Sequence, residues 1–210
     1  MTYDQCMLAK LLPAPRSTPG DLAAKVLEAA GKLLEDQGLH ALTLRRTAEL
    51  AGVAPMSIYH HFGSKDGLLD ALLFEAFSTL EYELRMVGSH PDPLLAYAQS
   101  GERYRSLAFA RPATYRLMFT GSGIGLHASE EASSAALKSF AALVATCQRL
   151  LDAKIVTERS AIEVAQITWA SIHGSVTLEL AGLDFTGGAY PALAEVLLAG
   201  LKTHPRPDLP

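Results

Sequence analysis

The sequence has little of what staples a chain, spans a membrane or holds a metal. It contains two cysteines in 210 residues, Cys6 and Cys147, far apart along the chain. A disulfide framework needs more of them, and neither C-x-x-C nor zinc-finger spacing occurs. No apolar stretch approaches the about 18 residues that cross a bilayer. No basic segment followed by an apolar run and a small-residue cleavage site opens the chain, so no signal peptide is read. These absences point to a cytoplasmic protein without a membrane partner. Cationic excess is also missing, since the net charge is −4. DNA affinity rests largely on Lys and Arg neutralising phosphates, so the balance argues mildly against non-specific nucleic-acid binding. A small reading module still needs only a few placed cations.

Catalytic patterns are lacking too. There is no Gly-x-Ser-x-Gly elbow and no Ser/His/Asp order, so an enzyme is not expected. His60-His61 has no H-E-x-x-H context, and no metal is expected there. The glycine-rich stretch 121–125 follows no strand and lacks dinucleotide-loop spacing, so no cofactor is expected. Cys147 reads as a small buried hydrophobe.

What is present is a globular composition, 49% hydrophobic. Apolar residues recur at helical spacing, while strand-like alternation and internal repeats are absent. The reading is all-α, with about nine helices. Residues 1–17 read as a flexible arm, whose Lys10 and Arg16 either touch a DNA groove or stay disordered. Thr18 and Pro19 supply start signals for a first helix, which runs to a glycine stop at Gly38. Short helices follow over 44–51, capped by Thr43, and 55–61. Ser64 caps a long fourth helix to about residue 87. The punctuation over 88–93 breaks the chain. Five further helices are read at about 93–109, 112–119, 130–152, 158–181 and 189–202, before a frayed tail over 205–210. The organisation read is a head over 18–66 and a larger helical region over 67–204.

Residues 44–58 have the spacing of a helix-turn-helix. Ala48 is small where two helices touch, and Gly52, four later, tolerates positive φ in the turn. Ile58, six further on, plugs the angle between the helices. Leu44, Val53 and Phe62 complete a small core. An ordinary αα-corner shares this spacing, and the content of the second helix separates the two readings. Pro55, Met56, Ser57, Tyr59 and His60 project from a helix of only about two turns, and few of them serve a core. A helix in the major groove must offer side chains to base edges. Ser57 and His60 are read as facing bases. Arg45, Tyr59 and Lys65 bracket the backbone, with Lys65 at a helix start that itself favours phosphate, and Thr43 is also read as a DNA-binding residue.

With Lys25-Val26-Leu27-Glu28-Ala29-Ala30, Gly38, Leu42-Thr43-Leu44, Ala48, Ala51-Gly52-Val53, Ile58-Tyr59-His60-His61-Phe62 and Ser64-Lys65-Asp66-Gly67-Leu68-Leu69 in view, residues 20–73 resemble the N-terminal domain of the TetR family of bacterial transcriptional repressors. The resemblance implies a homodimer of all-helical subunits, each with a three-helix DNA head and a C-terminal ligand and dimer domain. It implies double-stranded DNA with a palindromic operator as partner, and a small-molecule effector of unknown identity. Three features depart from the family pattern. Thr47 stands in place of a branched aliphatic residue, which implies a softer corner. Pro55 and Met56 offer no strong base-edge donors. Residues 1–70 carry seven cations against eight acids, which also keeps open a helical ligand-binding or interaction module that no longer reads DNA.

Downstream, residues 111–119 and Trp169-Ala170-Ser171-Ile172-His173-Gly174 are similar to a TetR subgroup named for its Trp-x-x-x-His-Gly segment. Trp169 and His173 share a helical face and either meet a ligand or sit in the core, the histidine bonded to a carbonyl. Tyr104, Phe109, Tyr115, Met118, Phe119, Phe140 and Trp169 either line a cavity between long helices or fill it. Arg103, Arg105 and Arg116 read as solvated, or as one anchor for an anionic effector. The last two helices are apolar over so wide an arc that they need cover on more than one side. A second subunit supplies that cover if they form a four-helix dimer bundle.

Overall fold

The computed structural model describes residues 22–120, 128–157, 159–185 and 189–202. Among them are nine helices and no strand: α1 (Leu22–Gln37), α2 (Leu44–Ala51), α3 (Pro55–Phe62), α4 (Lys65–Gly88), α5 (Pro93–Ala110), α6 (Pro112–Thr120), α7 (Glu130–Asp152), α8 (Ala161–Leu180) and α9 (Ala189–Lys202). The all-α expectation holds. The arm, the Thr18 start signal, the glycine-rich stretch and the tail lie outside the described residues.

Helix starts and stops follow local chemistry. Gly38, Gly52 and Gly63 end the first three helices with φ of 77°, 66° and 71°. The Thr43 hydroxyl caps α2 by accepting from Arg46 N, and Ser64 Oγ accepts from Gly67 N at the start of α4. One boundary differs from expectation, since α8 begins at Ala161 rather than near 158. Ser160 and Glu163 form a reciprocal capping box, satisfying two amide donors that a longer helix would leave in the first turn.

The chain groups into two compact units, residues 1–80 with 107–137, and 81–106 with 138–210. In the first, α1 packs on α2, α2 on α3, and α1 on α6. Its core joins Val26, Ala30, Leu33, Leu34, Leu42, Ala48, Ile58, Leu68 and Leu72 to Leu117 of α6 and Ala132 of α7. The small core expected around the corner is therefore part of a larger one, because α6 brings its own apolar face to α1. In the second unit, Tyr97, Leu143, Cys147, Leu150, Val164 and Ala165 form a separate core. Burial pushes the Cys147 thiol up to about 12, so at neutral pH it is the inert hydrophobe expected.

Two carboxylates tie helices together at their N-termini. Glu35, in the last turn of α1, accepts from Ala113 N (2.9 Å), Thr114 N (2.8 Å) and Thr114 Oγ1 (2.7 Å). Asp70 of α4 accepts from Ser129 N at 2.7 Å, just before α7.

Thr47 is accommodated inside the corner. It is fully buried, and its hydroxyl donates to Thr43 O at 2.9 Å, so the polar atom is satisfied where an aliphatic would only pack. Ile58, also fully buried, is the side chain on which the angle between α2 and α3 rests. Ile58→Ala should lower unfolding stability by about 2–5 kcal/mol, read as a fall in the urea midpoint. A change under about 0.5 kcal/mol would mean that the corner is held elsewhere.

Candidate nucleic-acid interface

A short helix that contributes one side chain to the core must show the rest of its surface. On α3 that side chain is Ile58, with Phe62 half-buried beside it. Pro55, Met56, Tyr59 and His60 are exposed and lie on one face at helical spacing. Met56 is 76% exposed and Tyr59 52%, so both are free to meet a partner. Ser57 is half-buried at the margin of this face. Pro55 suits the first helical position because its missing N–H has no partner there anyway. Gly67 fixes where α3 ends. A Cβ there would strike the Phe62 carbonyl, so only glycine lets the first turn of α4 close against α3.

The flanking cations are less free than the pattern implied. Arg45 pairs with Glu49 at 3.2 Å, but the two side chains are 82% and 61% exposed. Such a surface pair contributes little and can yield to a phosphate. The Arg46 guanidinium donates to Gln37 Oε1. Lys65 Nζ donates to Leu39 O at 2.9 Å and so ties the α1–α2 loop to the start of α4. An ammonium has three donors, so this bond is compatible with a phosphate contact without requiring one. The sequence reading missed this second role because a 26-residue separation leaves no local signal. Thr43 is exposed at the mouth of α2, its hydroxyl already engaged as the cap.

The eight expected effector-lining residues fall into both units. Phe109, Tyr115, Met118 and Phe119 belong to the first and Tyr104, Phe140, Trp169 and His173 to the second. In the first, Met118 packs against the core that carries α3, and the Phe119 ring meets Tyr115 at 5.1 Å and Phe77 at 6.0 Å. In the second, the Tyr104 hydroxyl and His173 Nδ1 share a hydrogen bond of 2.8 Å, and Trp169 Nε1–H donates to the same oxygen at 3.4 Å. Phe140 and His173 stand 6.0 and 5.9 Å from the Trp169 ring. The histidine thus has a phenol as a hydrogen-bond partner. Burial lowers the His173 pKa below its usual value.

Arg103 and Arg105 are not solvated as expected. Arg103 pairs with the buried Glu83 at 3.1 Å. Arg105 forks onto Glu179 and lies 5.6 Å from the Tyr190 ring centroid. The reason is tertiary: α4 and α8 bring carboxylates to positions where α5 alone would show an open face. Arg116 is exposed. Among the described residues no group of three His, Cys, Asp or Glu is placed to hold a metal ion, and no helix is long and apolar enough to cross a membrane.

A buried-anchor corner that presents a two-turn helix, with cations on both flanks, fits a helix-turn-helix. Comparison with known proteins agrees. Residues 26–72 match the bacterial regulatory proteins of the tetR family, and residues 97–201 match the tetracyclin repressor-like C-terminal domain. The chain belongs to the TetR family and is a DNA-binding transcriptional regulator. It is similar to an HTH-type transcriptional regulator of Mycobacterium tuberculosis, 24% identical over 90% of this chain and 96% of that one. A stretch of 57 residues, 27% of this chain and 26% of the relative, is 46% identical to the class C tetracycline repressor protein of Escherichia coli. Among solved structures, a protein of unknown function from Rhodococcus sp. RHA1 superposes with a TM-score of 0.78 at 25% identity, covering 91% of this chain and all of that one.

The depressed His173 pKa makes a signed prediction. Below about 6.5 the unfolded chain takes up a proton that the folded chain resists, so stability is full above that pH and falls as pH drops through the folded value. The loss of Tm between pH 7 and pH 5 should therefore be smaller in His173→Gln than in wild type. An equal loss would show that His173 does not carry it.

Proposed function

We propose that this regulator is a cytoplasmic homodimeric repressor that a small-molecule effector releases from a palindromic operator. The observation that carries the DNA side is the exposed face of α3, with Met56, Tyr59 and His60 outward over a buried Ile58. Two such helices in a dimer enter successive major grooves about 34–36 Å apart. Pro55, Met56, Ser57 and His60 face base edges, and Thr43, Arg45, Tyr59 and Lys65 position the backbone. Because the head is close to neutral, non-specific affinity is low and specificity relies on both heads binding together.

The dimer reading is supported by α8 and α9. Ala161, Ala165, Ile172, Val176 and Leu201 are buried within the subunit, while Ile162, Leu178 and Val196 are 57%, 52% and 68% exposed. One side of the apolar arc is covered internally and the other is left to a second copy. The Tyr104–Trp169–His173 cluster with Phe140 is the effector region we favour, and its Trp-x-x-x-His-Gly segment supports the subgroup resemblance. An effector bound there displaces α4, which leaves the head, and the two heads lose their spacing. Binding energy supports such a shift only to the extent that the effector prefers one state, about 1–3 kcal/mol in usual cases.

Operator fragments captured from genomic DNA provide the assay. Tyr59→Ala should weaken retention about tenfold or more while sedimentation still shows a dimer; undiminished retention would remove Tyr59 from the interface. Lys65→Ala should lower the salt slope of binding by about one if it meets a phosphate. An unchanged slope with weaker binding would reduce Lys65 to its tie with Leu39. Leu178→Glu and Val196→Glu should each shift the protein toward monomers in sedimentation velocity. Retention of the dimer in both variants would place the interface elsewhere.

A further inference from the structure

We propose that Glu35 is a positioning residue for the DNA-reading head, a carboxylate latch that couples the orientation of α1 to the first turn of α6. The proposal rests on the DNA-reader reading and goes beyond it, since Glu35 lies outside the helix-turn-helix and the effector region.

The argument begins with a local conflict. Glu35 sits in the last turn of α1, where the helix dipole favours a cation, and no basic residue occupies that turn. A carboxylate there needs solvent or a partner outside the helix; Asp36 is exposed to solvent, while Glu35 is half-buried. Here the stabiliser is the N-terminus of α6. Its first amide-bearing residues, Ala113 and Thr114, both donate to the carboxylate, and the Thr114 hydroxyl adds a third bond. Pro112 has no N–H to offer, so Glu35 takes the first two amides that the helix presents.

The contact has a mechanical consequence. Three charge-assisted bonds to two consecutive residues fix direction as well as distance. Ala113, Leu117 and Met118 of α6 add apolar packing against the core of α1 to α4. Apolar packing tolerates sliding; a carboxylate gripping a helix start does not. Glu35 is also two residues from Gln37, which receives the Arg46 guanidinium of α2. The end of α1 is thus held to α6 on one side and to the helix-turn-helix on the other. Burial also raises the pKa of Glu75 of α4, against the opposing effect of Arg111 at this corner and with the added push of Glu28. The α5–α6 corner therefore gathers charged groups from α1 and α4.

Coupling between two places is reciprocal in free energy. If α6 positions the head through Glu35, DNA bound to the head must in turn steady α6. The test needs no effector. The probe is a duplex selected from a random-sequence pool by the wild-type full-length protein. Amide exchange is followed at residues 44–62 and at 113–117, with and without duplex. In wild type, duplex should slow exchange in both segments, by about fivefold or more at 113–117. In Glu35→Ala, protection at 44–62 should persist in saturating duplex while the response at 113–117 is lost. Glu35→Gln keeps an acceptor without the charge and should respond in between. Thr114→Val removes only the hydroxyl bond and should lose least, and these two carry the test if the alanine variant does not fold. Asp36→Asn, an exposed neighbour, should match wild type. A full response at 113–117 in Glu35→Ala and Glu35→Gln, or none in wild type with the head protected, would overturn the latch. A wild-type protein unprotected at 44–62 would overturn the DNA reading itself, a distinguishable failure.

Discussion

The structure depends on one buried side chain in a sharp corner. Ile58 is fully enclosed between α1, α2 and α4, and α3 is too short to bury a second face. Every residue not on the Ile58 side is therefore turned outward, whatever its polarity. That constraint leaves Met56 and Tyr59 in solvent despite their apolar surface. It also makes Gly52 at the turn and Gly67 at the start of α4 necessary, the first for its backbone angle and the second for close approach.

Around this corner, electrostatics is arranged by position more than by amount. The head carries no excess of cations, and Arg45, Arg46 and Lys65 are engaged locally by Glu49, Gln37 and the Leu39 carbonyl. The exposed partners Glu49 and Gln37 are exchangeable at small cost, so a phosphate can replace them, whereas the part-buried bond of Lys65 to Leu39 is a structural tie. Partly buried ones are different. Glu83 with Arg103 and Glu179 with Arg105 are pairs whose separation would leave a buried carboxylate without its cation. They fix the helices of the second unit relative to one another, while the cations near α3 stay available.

The second unit combines an apolar core with a polar, aromatic cluster on α5 and α8. Tyr104, Trp169 and His173 satisfy one another, so whatever meets them meets a network already organised. In the apolar core with its inert Cys147, the Tyr97 and Thr168 hydroxyls bond each other.

Much of this was legible in the sequence. Helix number and most boundaries follow from apolar spacing, capping residues and left-handed glycines, which are local properties. The outward face of α3 also follows, because the spacing from Ala48 to Gly52 to Ile58 dictates which side is inside. Tertiary structure alone decided the rest. It paired Arg103 and Arg105 with carboxylates 20 and 74 residues away, turned Lys65 toward Leu39, satisfied Thr47, and divided the aromatic residues between two units. It also gave Glu35 a partner 78 residues on. Short-range periodicity records which face of a helix is apolar, but the partners of a polar group are set by how helices far apart in the chain come to lie together.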